Sequence, residues 1–203
     1  MSKKPIIVFE GIEGSGKTLH INNVVKYLKK INKKFIKLRE PGGSKNAEKI
    51  RKIILNNKSN FNKITDLLLY LSARSENVEK IIEKNYRKKI ILIDRFIDST
   101  LAYQHYGMGI NKKLINNLNK FILNKIKPDF TFLNVVNKNN LAIRLNKRIV
   151  KNRYDKFDYN FYNKVQNGFI KIAKNKNNYL IINSNNKINY NKKLIINKII
   201  SLI

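Results

Sequence analysis

Apolar residues along this chain follow two alternating rhythms. Ile6-Ile7-Val8-Phe9 is a continuous apolar run without polar alternation, the pattern of a strand buried on both faces. Beyond Lys17-Thr18, the residues Ile21, Val24, Val25 and Leu28 recur at i, i+3, i+4 and i+7, which is one face of a helix. Phe35-Ile36-Lys37-Leu38 predicts a second strand, ended by Pro41-Gly42-Gly43. A long helical stretch covers about Thr65 to Ile82. Ile90-Ile91-Leu92-Ile93 is another buried strand, Phe130-Thr131-Phe132-Leu133 a further one entered from Pro128, and Tyr179-Leu180-Ile181-Ile182 the last. Leu194, Ile195, Ile199 and Leu202 keep helical spacing near the end. This repetition of strand and helix predicts an α/β chain with a parallel five-stranded sheet and helices on both faces. No linker rich in Pro, Gly or Ser and no internal repeat divides it, so residues 1–203 read as a single domain. Asn/Lys runs such as Asn175 to Asn178 read as loops, because apolar segments follow them.

Composition narrows the class. No segment approaches the roughly 18 uninterrupted apolar residues of a membrane span. Met1-Ser2-Lys3-Lys4-Pro5 lacks the apolar stretch and cleavage site of a secretory signal. Cysteine is absent, which excludes disulfides and thiolate metal sites. A soluble cytoplasmic protein is expected. The formal net charge of +30 raises nucleic acid as a partner. However, Lys, Asn and Ile are over-used together in every part of the chain, and Asn and Ile have no electrostatic role. A compositional bias accounts for all three, so no specific nucleic-acid partner is expected.

Gly11-Ile12-Glu13-Gly14-Ser15-Gly16-Lys17-Thr18 matches G-x-x-x-x-G-K-[ST] in full. Glycines let successive N–H groups turn inward at phosphate oxygens, and the helix that follows presents its positive N-terminus to the same anion. Lys17 reaches the β- and γ-phosphates, and Thr18 offers a hydroxyl to Mg²⁺. The motif lies between a buried strand and an amphipathic helix, which is the context it requires. It predicts a P-loop NTPase fold that binds ATP or GTP, and it leaves the acceptor open. Glu10 and Glu13 stand beside this polyphosphate site, where a carboxylate needs a cationic or hydroxyl partner.

Further clusters stand at element ends, where an open α/β sheet places its ligands. Arg39-Glu40-Pro41-Gly42-Gly43 follows the second strand. Asp94-Arg95 ends the third, and Thr100, Tyr103 and Gln104 follow it. Asp94 is placed to hold Mg²⁺ through water, or to cap a helix. Arg95 and Arg74 can clamp a phosphate with paired N–H donors. Tyr70 lies four residues before Arg74; its ring serves either a base or the core. Gln104 is either a reader of a base edge or a loop residue. Lys147, Arg148, Lys151 and Arg153 form a basic run, which is either a solvated surface or a mobile lid over the phosphates at about residues 138–156.

Taken together, these motifs resemble the thymidylate kinase family. Phe9 to Thr18 looks like its P-loop, Arg39 to Gly43 like its second signature and Asp94 to Gln104 like its third, the most specific. Lys127-Pro128-Asp129-Phe130-Thr131 to Val135 is similar to its fourth strand, and Asn152-Arg153-Tyr154-Asp155 to the lid of bacterial members. The resemblance runs in order from about Ile6 to Ala173. It implies an enzyme that transfers the ATP γ-phosphate to dTMP with Mg²⁺, held by Thr18 and Asp94, and a homodimer. Tyr70 would stack on thymine, and Arg74 would contact the base. Arg95 would bind the acceptor phosphate and the transferring group. Glu13 would hold the 3′-hydroxyl, and Tyr103 would crowd the 2′ position. Thr100, Gln104, Arg51, Glu40 and Pro41 would line the acceptor pocket. The P-loop carries no Arg, so transition-state charge would come from the lid, Arg153 first and Arg148 next. Two departures stand out. Family members usually carry Phe where this chain has Tyr70, whose hydroxyl needs a partner. They usually carry Gly where it has His105.

The expected chemistry is direct in-line transfer without a covalent enzyme intermediate, driven by positioning and by charge from Lys17, Arg95 and the lid. The rival readings are a P-loop kinase for another nucleotide or a deoxynucleoside, and a nucleic-acid-binding P-loop ATPase.

Overall fold

The computed structural model describes residues 4–147, 149 and 152–203. Its elements follow the order β1 (Ile6–Glu10), α1 (Lys17–Lys30), β2 (Phe35–Arg39), α2 (Lys45–Leu55) and α3 (Lys63–Asn77). Next come α4 (Glu83–Asn85), β3 (Ile90–Asp94), α5 (Ile97–Thr100) and α6 (Lys112–Leu123). The chain closes with β4 (Phe130–Val135), α7 (Lys138–Asn146), α8 (Tyr159–Ala173), β5 (Tyr179–Asn183) and α9 (Ile188–Leu202). Among the described residues the strands form one five-stranded sheet in the order β2-β3-β1-β4-β5, with every pairing parallel.

β1 lies at the centre, where Ile7 stands opposite Leu92 on one side and Phe130 on the other. Successive strand residues face opposite ways. Ile7 and Phe9 therefore pack on Ile21, Val24 and Leu28 of α1 and Ile195 and Ile199 of α9. Ile6 and Val8 meet Leu38, Val78, Ile82 and Phe96 on the other face. Both sets are buried, which is why the run is apolar throughout; each such side chain contributes about 1.5–3 kcal/mol.

Short polar side chains start five of the helices, α2, α3, α6, α7 and α8. Asn62 accepts from the N–H groups of Ile64 and Thr65, Asn111 from those of Lys113 and Leu114, and Asn137 from that of Asn140. α1 differs: its N-cap is Gly16, with φ of 87° and no side-chain cap. Its first N–H groups are left for a ligand. Gly11, with φ of 138°, passes so close to the Asn134 carbonyl that any side chain there would collide with it.

The long helical stretch expected over 65–82 is α3 followed by a π-helical turn at Val78–Ile82. A second π-helical segment, Leu101–Gly107, continues α5. Its wide turn accommodates His105, whose Nδ1 lies 2.8 Å from the Ile110 carbonyl. The first half of the expected lid is the regular helix α7, and its far end is a 3-10 turn at Arg153–Lys156.

Candidate functional site

The loops after β1, β2 and β3 enclose a cavity of about 570 Å³ at the carboxyl edge of the sheet. Glu13, Gly14, Lys17, Thr18, Glu40, Pro41, Arg51, Tyr70, Arg74, Asp94, Arg95, Thr100, Tyr103 and Gln104 line it. The sequence motifs, scattered over some ninety positions, thus share one cleft. Ile12 and Ser15 do not line the cleft; both side chains are buried beneath the loop.

On the phosphate side, Lys17 Nζ donates to the carbonyls of Gly11 at 2.9 Å and Ile12 at 2.8 Å. Burial, and then the Arg95 charge, lower its pKa to about 8. A polyphosphate would replace those carbonyls and favour the charged form of the amine. Thr18 Oγ1 donates to Asp94 Oδ2 at 3.1 Å. A hydroxyl and a carboxylate facing the phosphate site make a donor set that suits Mg²⁺, which takes few protein ligands and relies on phosphates and water for the rest.

Arg95 follows β3 with a left-handed backbone, φ of 67°, which swings its side chain across the cleft. Its guanidinium donates to the Gly11 carbonyl at 2.7 Å and to Glu13 Oε1 at 2.9 Å, and it lies over the Tyr103 ring at 5.2 Å. Burial works against its charge, but Glu13, Tyr103 and Asp94 outweigh this and hold it protonated. Glu13 also accepts from the Tyr103 hydroxyl. Burial raises its pKa, but Arg95 and Lys17 prevail and keep it below the usual range. The carboxylate beside the P-loop therefore has both partners that it needs.

The acceptor wall is more buried. Arg74 is 2% exposed. It donates to Glu40 Oε2 at 2.8 Å, Asn119 Oδ1 at 2.6 Å and the Phe96 carbonyl at 2.9 Å. Its charge braces the pocket as well as bordering it. Arg51 donates to the Pro41 carbonyl at 2.5 Å, and the Glu40–Pro41 peptide is cis. Among the described residues the buried Thr100 hydroxyl has no hydrogen-bond partner. Tyr70 meets Tyr154 edge-on at 6.1 Å, and the Tyr154 hydroxyl is the partner that the Tyr70 hydroxyl requires.

Arg153 does not line the cleft in this structure. It was expected to face the phosphates, but it points to the outer wall. Its guanidinium binds the Ile54 carbonyl, pairs with Asp66 and lies over Phe61 and Tyr154. Asp66 is a buried carboxylate that outbids solvent for the cation. Lys147 is exposed, and Arg148 and Lys151 lie outside the described residues. Arg144, which the sequence reading passed over, lines the cleft instead. It donates to the Gly14 carbonyl at 2.9 Å and the Ser184 carbonyl at 2.7 Å. Its only signal was a position one turn before the basic run. Asp66 and Asn119 were missed as well, because each gains its meaning from distant partners.

Glu10 sits beneath the Arg95 turn. It accepts from the Phe96 N–H at 2.8 Å, the Ser99 N–H at 3.2 Å and the Ser99 hydroxyl at 2.6 Å. Burial, and then the Asp98 charge, push its pKa from 4.5 up to about 7. The folded chain thus holds this proton more tightly than the unfolded one. That stability is complete below about pH 4.5 and lost as pH rises through 7. Glu10→Gln keeps the shape and an acceptor oxygen but cannot titrate. Between pH 4.5 and 8, wild-type stability in urea should fall by roughly 2–3 kcal/mol more than that of the variant. Parallel curves would show that Glu10 does not titrate in this range.

Comparison with known proteins agrees with this geometry. The thymidylate kinase family profile matches residues 9–195. A thymidylate kinase of Wolbachia sp. subsp. Brugia malayi (strain TRS) is 44% identical over 173 residues, covering 83% of this chain and 81% of that protein. One from Thermosipho melanesiensis is 40% identical over 185 residues, covering 91% and 92%. The crystal structure of thymidylate kinase from Ehrlichia chaffeensis superposes with a TM-score of 0.77 at 34% identity, covering 96% of this chain and 97% of that one.

Proposed function

The chain belongs to the thymidylate kinase family and phosphorylates dTMP to dTDP using ATP, and from that premise we propose how its residues divide the work. The observation that carries the reading is the Arg95–Glu13 pair at 2.9 Å, set between the P-loop and the Tyr70 wall. It joins a cation fit for a phosphate in transfer to a carboxylate fit for a sugar hydroxyl.

The N–H groups of Gly11 to Thr18 and the Lys17 ammonium hold the donor phosphates. Thr18 and Asp94 would hold Mg²⁺, which would supply further neutralisation of phosphate charge. Arg95 bridges the donor and acceptor phosphates. Glu13 takes the 3′-hydroxyl, and Tyr103 crowds the 2′ position. Tyr70 stacks on thymine, while Gln104, Thr100, Arg74, Arg51, Glu40 and Pro41 enclose the base. The acceptor is already an anion, so it needs little base assistance. Catalysis is positioning plus preorganised charge.

Residues 1–203 act as one domain whose lid, about 138–156, is rooted on the P-loop through Arg144. Arg153 anchors the lid's far end to Asp66. The protein works in the cytoplasm as a homodimer, without a membrane or a specific nucleic-acid partner. Ile64 and Leu68, exposed one turn apart on α3, with Leu114 and Phe121 on the neighbouring α6, offer an apolar face for a second copy. Among the described residues no helix is long and apolar enough to cross a membrane.

The test is ADP formation from ATP and Mg²⁺ with each nucleoside monophosphate in turn. Conversion of dTMP should far exceed that of the uridine, cytidine and guanosine monophosphates. A preference for another acceptor would overturn the pocket assignments, and no acceptor-dependent ADP would overturn the kinase reading.

A further inference from the structure

Asp66 of α3 is buried, 2% exposed, yet no part of the phosphate chemistry calls for it. Three partners converge on its carboxylate, all from outside α3. The Tyr154 hydroxyl donates to Oδ2 at 2.7 Å, Arg153 pairs with it, and Gln104 Nε2 donates to Oδ2 at 3.4 Å. Paired with a guanidinium, the carboxylate is set to accept hydrogen bonds, not to donate them. Gln104 must therefore turn its nitrogen toward Asp66. The reverse orientation would set a carbonyl oxygen against a carboxylate.

Gln104 is 1% exposed and lines the acceptor cleft, so its side chain has little room for any third arrangement. With the nitrogen committed to Asp66, the amide oxygen is the end left for the base. Thymine and uracil carry an N–H at ring position 3, and an oxygen suits it. Cytosine carries a bare nitrogen there, and the two lone pairs repel. The choice of base then depends on a carboxylate that never touches it.

We infer that Asp66 is a positioning residue for base selection, acting by fixing the orientation of the Gln104 amide. This rests on the reading that Gln104 borders the base. The measurement is the ratio of kcat/KM for dTMP to kcat/KM for dCMP. Asp66→Asn keeps the shape but can donate as well as accept, so it frees the amide to turn. The ratio should fall about tenfold, because a hydrogen-bonding site discriminates through the partner it offers. Asp66→Glu, which restores a carboxylate, should recover most of the ratio.

Gln104→Leu provides the control. It should lower the ratio by itself, and Asp66→Asn added to it should cause no further fall. If Gln104→Leu leaves the ratio unchanged, the pocket reading fails and the inference with it. If Gln104→Leu lowers the ratio but Asp66→Asn does not, only the positioning role fails. A merely structural Asp66 would lower kcat/KM for both acceptors equally. Should Asp66→Asn fold poorly because Arg153 is left unpaired, Asp66→Asn with Arg153→Met removes that charge, and the same ratio decides.

Discussion

Arg95→Ala should lower kcat by roughly 10³-fold while KM for ATP changes little, as for other arginines that meet transition-state charge. The Arg95 guanidinium is fixed before any substrate arrives. It spans from the Gly11 carbonyl to Glu13 and is 15% exposed. Such a group does not have to reorganise at the moment of transfer, and its poorly hydrated setting strengthens its field. Its position depends on a backbone conformation that few residues other than glycine adopt, φ of 67°, steadied by the hydrogen bond from its N–H to the Phe9 carbonyl at 2.9 Å. The reach therefore comes from the turn, and the charge from the side chain. Arg95→Lys should recover only part of the rate, since a point charge cannot bridge two phosphates as a planar fork does. Steady-state kinetics on protein shown to be folded by its melting curve checks this. A loss of less than about tenfold would mean that Arg95 holds Glu13 in place and does little else.

The largest effect on stability should come from Arg74→Met, at about 3–5 kcal/mol in urea unfolding. Arg74 and Glu40 are 2% and 5% exposed, and their contact is 2.8 Å. Removing the cation strands a carboxylate, together with Asn119 and the Phe96 carbonyl, away from water. Burial already raises the Glu40 pKa, and the Arg74 charge is the chief force opposing it. Without Arg74, Glu40 would take up a proton, so the cost should shrink as pH is lowered. Pairing Arg74→Met with Glu40→Gln should recover most of the loss, because a neutral pair carries no unpaired charge. A double variant as unstable as the single one would place the cost in packing rather than charge.

How far the site was legible follows from where each residue draws its meaning. The P-loop and the Asp94-Arg95 step are local strings at strand ends, so their geometry follows from their neighbours in sequence. The central strands β1, β3 and β4 were equally legible, since strands buried on both faces read as largely apolar runs, while the edge strands β2 and β5 are partly exposed and showed only as shorter apolar stretches. The helices α2, α6 and α8 gave less warning. Asn starts several helices here, but in a chain where Asn is everywhere a capping Asn looks like any other. Arg153 shows a different limit. Its charge was evident, but its direction depended on Asp66, eighty-seven positions earlier, and nothing in the basic run points there. Arg144 is the converse, an arginine in an unremarked helix whose role depends on Gly14 and Ser184.

The resting place of the Lys17 amine has a consequence for competition among anions. Its hydrogen bonds to the Gly11 and Ile12 carbonyls must be exchanged for bonds to phosphate oxygens. Inorganic phosphate offers one charged centre against two carbonyl acceptors already in place. A triphosphate would engage several loop N–H groups and so gain contacts that favour the exchange. The loop would thus screen its ligands by length before any base is read, leaving small anions as weak competitors.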